Sequence, residues 1–282
     1  MDQALVSMFE PLGGLGLALA GLDAPGAPTG GLRERVASAA AAGFRSVRID
    51  ATAPDARPRD FDRSARRDLA STLRRAGVKF GGIDLFIPPS HLLDPARADR
   101  AVGAVVAALE FASDLARLDE GGAGFARAVT MDLSFPEGAD GSGVLAELAR
   151  AAERVGGAVA DVARGIGAAP AVQVSPASPA SPFMGAELDP GMALVRGVDP
   201  VARLHALARA QTLAGVRLSD ASSLGRCLPG AGRLDVLAFS VALATAGVRG
   251  PIVVDLRGVD RRSIDRLLGR GVGRGVGGGP SA

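Results

Sequence analysis

Short runs of β-forming residues recur along this 282-residue chain, each followed by helical spacing, and that alternation restricts it to a parallel α/β architecture. Eight such runs can be counted, at residues 15–20, 46–50, 79–85, 128–133, 171–174, 184–188, 215–218 and 252–256. Eight is the number of parallel strands that closes a barrel. With 48% hydrophobic and 22% charged residues the chain can bury one large core, so residues 1–268 are expected to form a single (β/α)8 TIM-barrel domain. The glycine-rich stretch 269–282, GRGVGRGVGGGPSA, is expected to be a flexible tail.

The intervening helices carry their own start signals. Asp94-Pro95 and Asp199-Pro200 each set a capping carboxylate before a proline at the first helical position. After Asp94, Val102, Val105, Val106, Leu109 and Ala112 share a face. After Ser142, the series Leu145, Leu148, Ala152, Val155, Val159, Val162, Ile166 steps by threes and fours, which predicts one long helix against the sheet. Residues 175–183, SPASPASPF, cannot form a regular helix because of their prolines, so a Ser/Pro loop is expected to replace the fifth helix.

Composition removes several classes of function. Thirty-two basic against 30 acidic residues leave a net charge of +2, and the chain has no Trp and no Tyr, so neither the charge nor the stacking surface of a nucleic-acid binder is present. Cys227 is the only cysteine, which excludes an internal disulfide and multi-cysteine metal sites. His91 and His205 are the only histidines, so any metal would rest on carboxylates. Lys79, the sole lysine, starts a strand on the stability face of the barrel, the wrong end for a Schiff-base amine. No apolar run approaches the roughly 18 to 20 residues of a membrane span, and Asp2 and Glu10 interrupt the N-terminus, so a cytoplasmic protein with no membrane partner is expected.

Working groups of a parallel barrel stand at the C-terminal strand ends. Those ends are acidic here: Asp50, Asp84, Asp132, Asp189, Asp220 and Asp255, accompanied by Arg217 and Arg257. Carboxylates facing one mouth repel unless countered, either by a divalent cation or by the guanidinium of Arg217. Each aspartate could instead cap a turn or a helix, Asp50 could pair with Arg48 on its own face, and Asp220 reads as an organiser of the loop that follows it. In that loop, residues 228–235, the N–H groups around Gly230 and Gly232 could hold an anion beside Arg233 and Arg257, or could simply make a tight turn. His91 lies in the loop after strand three, where it could serve as a general acid or base or remain solvated. His205 falls within a helix and reads as structural, and Cys227 reads as a half-buried small side chain.

Five segments together resemble a known family: GFRSVRID ending at Asp50, ELDPG around Asp189, VRLSDA around Arg217, PGAGRLD ending at Asp235, and VVDLR around Asp255. In order and placement they are similar to the xylose isomerase-like barrels, the sugar phosphate isomerase/epimerase superfamily. The resemblance implies a divalent metal such as Mn, Mg, Zn or Co, held by a glutamate on strand five, an aspartate on strand six, a histidine on strand seven and a glutamate on strand eight. Asp189 matches the strand-six ligand, whereas Ser175 stands at the strand-five position, Arg217 replaces the histidine and Asp255 the second glutamate. Met192 and Ala231 replace a further histidine and glutamate of many relatives. A permanent cation at a ligand position would repel a divalent ion and pair with Asp189 or Asp255, so no bound metal cofactor is expected.

Two readings follow. In one, the chain acts on a small sugar or sugar phosphate as an isomerase or epimerase, with Asp255 or Asp189 as base, Arg217 stabilising an enediolate, His91 assisting, and Asp50, Asp84, Asp132, Ser175, Gly230, Gly232 and Arg257 around the substrate. In the other it is a non-catalytic pseudoenzyme that binds a polyol or joins an assembly. Either form could be a homo-oligomer.

Overall fold

The computed structural model describes residues 3–22, 30–119, 125–167, 181–250 and 252–269. Eight parallel strands close into a barrel in chain order: β1 Leu15–Ala18, β2 Ser46–Asp50, β3 Lys79–Asp84, β4 Ala128–Met131, β5 Ala158–Asp161, β6 Met184–Leu188, β7 Leu213–Leu218 and β8 Ile252–Val254. β8 returns to β1 through the pair Leu15 and Ile252, so no sheet edge is left open. Apolar residues such as Val47, Ile49, Phe80 and Val129 are fully buried. Strand alternation then turns the residue between Val47 and Ile49, Arg48, towards the barrel axis.

Helices seal the outer face. Asp199 opens Pro200–Arg209 as the sequence predicts, its carboxylate accepting from Val201 N at 2.9 Å and Ala202 N at 3.3 Å. The helix after Asp94-Pro95 begins one turn later than expected, at Ala98–Leu118, because the backbone carbonyl of Asp94 accepts from Arg97 and Ala98 in an intervening turn. It still buries Val102, Val105, Leu109 and Ala112. No helix among the described residues is long and apolar enough to cross a membrane.

The fifth unit corrects the sequence reading. The helix predicted to run to Ile166 stops at Val155, where Gly156 takes a left-handed φ of 64° and caps Ser142–Val155. The chain then enters β5, whose Val159 pairs with both Val129 of β4 and Met184 of β6. Apolar spacing by threes and fours continues through this junction by coincidence, and only Gly156-Gly157 signals the break. Asp161 ends the strand and caps a single helical turn, Val162–Gly165, so a short fifth helix exists. The strand expected at 171–174, Ser175 and most of the Ser/Pro segment lie outside the described residues, as does the tail beyond Gly269.

That one-turn helix lies directly on β6. A Cβ added at Gly165 would stand 1.7 Å from the carbonyl oxygen of Glu187, a backbone atom that cannot yield. Gly165→Ala is therefore expected to destabilise the fold by more than about 3 kcal/mol, the upper range for overpacking, seen as a lowered urea midpoint with an unchanged slope.

Candidate functional site

The barrel axis is filled by charge. Arg217, on β7, places Nε 3.2 Å from Glu187 Oε2 and Nη1 3.2 Å from Asp255 Oδ2, while Nη2 donates to Asp84. Arg48 reaches across from β2, donating to Thr130 Oγ1 at 3.1 Å and to Glu187, with Asp84 3.7 Å away. Arg217, Asp84, Glu187 and Asp255 are all 0% exposed.

A second pair of arginines closes the network from above. Arg226 belongs to a hairpin, Asp220–Ser222 against Gly225–Cys227, that follows β7. Its Nη1 lies 3.0 Å from Asp189 Oδ2 and its Nη2 3.0 Å from Asp255 Oδ2. Arg257 donates to the same Asp255 oxygen at 2.6 Å, and its guanidinium lies 3.7 Å from the centre of the Phe86 ring. Four guanidiniums thus face four carboxylates, Asp84, Glu187, Asp189 and Asp255.

Protonation follows from the competition between burial and pairing. Burial pushes the Asp255 carboxyl up, but Arg217, Arg257 and Arg226 together outweigh it and hold the group well below the usual carboxylate range. Glu187 is lowered too, since Arg217 and Arg48 overcome its burial. At Asp84 burial wins and raises the pKa against the same two arginines, and its Oδ2 finds no hydrogen-bond partner among the described residues. Burial opposes the charge of Arg217, yet Asp84, Glu187 and Asp255 raise its pKa well above the ordinary value.

Of the residues anticipated at the mouth, Arg217, Asp255, Asp84, Asp189 and Arg257 do come together. Asp189 also caps Pro190–Val195, accepting from Met192 N at 3.0 Å, and takes a hydrogen bond from Ser219 Oγ. Asp50 and Asp132 turn away into local loops, accepting from Thr52 N at 2.9 Å and Ser134 N at 2.8 Å. The anticipated pair of Asp50 with Arg48 is replaced by the pair of Arg48 with Glu187, which is anchored across the axis.

Gly230 and Gly232 hold an anion from the chain itself. The buried Asp220 carboxylate accepts from Gly230 N at 3.1 Å, Gly232 N at 2.8 Å, Leu234 N at 2.9 Å and Ala221 N at 2.7 Å. Asp220 is thus the loop organiser the sequence suggested, and these two glycine N–H groups are not open to a substrate phosphate. A Cβ on Gly232 would sit 2.4 Å from Asp220 Oδ1, which explains glycine there.

Three members of the site went unassigned in the sequence: Glu187, Arg226 and Asp161. Asp161 takes the strand-five end given above to Ser175, so that position carries a carboxylate. Its Oδ1 accepts from Leu133 N at 3.1 Å and Ala163 N at 3.0 Å. Burial, with help from nearby Asp132, nevertheless pushes its pKa up to about 6.

Beside this network lies a pocket of about 680 Å³ between the loops after β2 and β3 and the start of Ala98–Leu118. Phe86 lines it, so one ring touches both the pocket and the arginines of the mouth. His91, expected as a loop group able to reach the mouth, lines this pocket, its Nε2 accepting from Arg97 Nη1 at 2.9 Å. His205 lies half-buried in its helix, and Cys227 half-buried in the hairpin with its thiol pKa raised by burial.

No protein-family model matches the sequence, and no curated protein is significantly similar to it. Solved structures do match. A xylose isomerase domain protein from Planctomyces limnophilus superposes with a TM-score of 0.63 over 91% of this chain and 92% of that one, at 16% identity. The 3-keto-D-glucoside 4-epimerase YcjR from E. coli gives 0.65 over 91% and 96%, at 14% identity. The fold is that of a xylose isomerase-like TIM barrel. The IOLI protein, solved with a bound zinc atom, gives 0.60 over 86% and 89%, at 16% identity. At these identities the likeness is one of fold.

The residues of this xylose isomerase-like barrel do not fit the divalent metal implied by the sequence resemblance. No group of three His, Cys, Asp or Glu side chains able to take an ion occurs among the described residues, and Arg217 already occupies the space between Asp84, Glu187 and Asp255. Removing that cation takes one counter-charge from each of three buried carboxylates and leaves Asp84 and Glu187 sharing Arg48 alone. Arg217→Met is expected to cost about 3–5 kcal/mol, read as a lower urea midpoint.

Asp161 gives a pH signature. Its folded pKa, about 6, lies above the ordinary 3.8, so its contribution to stability is complete below 3.8 and is lost as pH rises through 6. Asp161→Asn keeps the accepting oxygen without the charge. The variant is expected to lack that slope and to be more stable than the wild type at pH 7 by about 2 kcal/mol, measured by urea unfolding across pH 4 to 8.

Proposed function

We propose that this chain is a barrel that binds a small ligand, of the size of a sugar or sugar phosphate, and has lost the metal-dependent isomerase or epimerase chemistry of its fold. One observation carries the reading: Asp255 is fully buried beneath three guanidiniums, Arg217, Arg226 and Arg257. A base must accept a proton from carbon near neutral pH, and a carboxylate held this far down by paired cations accepts it poorly. Asp189 is similarly engaged by Arg226, Ser219 and a helix N-terminus. The permanent charge of Arg217 opposes any divalent ion. The neighbouring pocket, about 680 Å³, falls within the range of small-molecule sites. In this reading the protein works in the cytoplasm on a small molecule, without nucleic acid or membrane as partner.

A second reading, isomerase or epimerase turnover without a metal, is favoured by Asp161 alone, since a carboxyl with a pKa of about 6 at a strand end can take up and return a proton. Proton exchange separates the two. Incubation with fructose, tagatose and fructose 6-phosphate in deuterated water, with and without Mn²⁺ or Zn²⁺, is expected to give no deuterium at the carbons beside the carbonyl, read by NMR. Metal-independent exchange abolished in Asp161→Asn would establish the second reading, and exchange that requires the ion would overturn both.

A further inference from the structure

The pocket beside the mouth carries charge of one sign. Arg57, Arg59, Arg97, Arg100 and His91 line it, and no carboxylate does. Arg59 and Arg97 have acidic neighbours, Asp60 at 3.7 Å and Asp94 at 3.4 Å, neither of which faces the pocket. Arg57 and Arg100 are paired with no acidic group among the described residues. Arg57 is half-buried, held just ahead of the short helix Pro58–Asp60 by the Asp60 N to Arg57 O bond of 2.9 Å. A half-buried guanidinium without a counter-ion, in a cavity shared with three more, is a standing electrostatic cost that a ligand anion would relieve.

Hydrogen-bond capacity points the same way. Guanidiniums only donate, and the Nε2 of His91 is already accepting from Arg97. Thr52 is the one neutral hydroxyl or amide side chain on the wall, and its hydroxyl donates to Asp50 at 2.5 Å. A neutral sugar brings several hydroxyl donors, which need acceptor side chains, and the wall supplies almost none. Its other residues are apolar, among them Phe86, Ile87, Ala104 and Ala107. An acceptor-rich head with a partly apolar body matches such a wall.

We infer that this pocket binds an organic oxyanion, a phosphate ester or a polycarboxylate, gripped by Arg57 and Arg100, and that it discriminates against uncharged sugars. The inference rests on the binding reading above and narrows its ligand to an anion. Bidentate geometry makes arginine suited to either oxyanion, and the shared chemistry is what the wall selects.

Isothermal titration of the full chain with inorganic phosphate, citrate, glucose 6-phosphate and glucose tests it. At least one of the three anions is expected to bind, glucose not to bind, and affinity to fall as salt is raised. Citrate against the two phosphates tells carboxylate from phosphate. The double variant Arg57→Gln/Arg100→Gln is expected to weaken the anion at least 10-fold. The charge-matched control Arg67→Gln/Arg209→Gln, altered at two exposed helix positions outside the pocket, is expected to change it less than 2-fold. Should the double variant fail to fold, Arg100→Gln alone, at an exposed helix position, is expected to weaken binding at least 3-fold. Glucose binding as tightly as glucose 6-phosphate, with both double variants unaffected, would overturn the anion and leave the binding reading standing. Silence from all four probes at millimolar concentration would overturn both.

Discussion

A guanidinium taken out of water must find its full complement of partners within the protein, since the penalty of stranding it is several kcal/mol. Arg217 is held by ion pairs to three carboxylates drawn from β3, β6 and the end of β8, with hydrogen bonds from Nη1 and Nη2, while its Nε makes only the ion pair to Glu187. The rest of the mouth is arranged around it. Glu187 is shared with Arg48, which ties β2 to β6 through the middle of the barrel, and Asp255 is shared with Arg226 and Arg257, which ties the hairpin and the loop after β8 to the same point. Each partner lowers the cost of burying the next, so the network behaves as one unit and resists change at any single member.

This interior differs from a barrel filled with layers of branched aliphatic side chains. Hydrophobic packing here lies outside the strands, between sheet and helices, while alternate positions on β2, β3, β6 and β7 carry ions inward. The chemistry available at the mouth is a consequence of that choice. Asp255 and Glu187, balanced by arginines, keep their negative charge but give up the freedom to exchange protons. Burial raises the pKa of Asp84 despite its arginines and carries that of Asp161, which has no side-chain ion pair among the described residues, to about 6.

Much of this was legible in the residues. Short apolar runs, six of them ending at or beside an aspartate, marked seven of the eight barrel strands to within two residues, and the cation at 217 pointed to a centre in which a guanidinium pairs with Asp255. The fifth strand escaped because Val155, Val159 and Val162 satisfy helical spacing while belonging to a helix, a strand and a second helix in turn. Glu187 was visible as an acidic residue inside a short apolar strand, two positions from Asp189 and hence on the same face, a signal that alternation could have supplied. Arg226 could not have been found this way. Its role depends on a hairpin folding back over the axis, and nothing local to GRC announces where that hairpin lands.

Phe86 has a practical implication. Its ring lies against Arg257 and at the same time forms part of the cavity wall, in a chain that contains neither tryptophan nor tyrosine. The protein is accordingly dark in ordinary fluorescence, and an indole placed at that one position would be the sole emitter, reporting from the boundary between the ionic axis and whatever enters beside it.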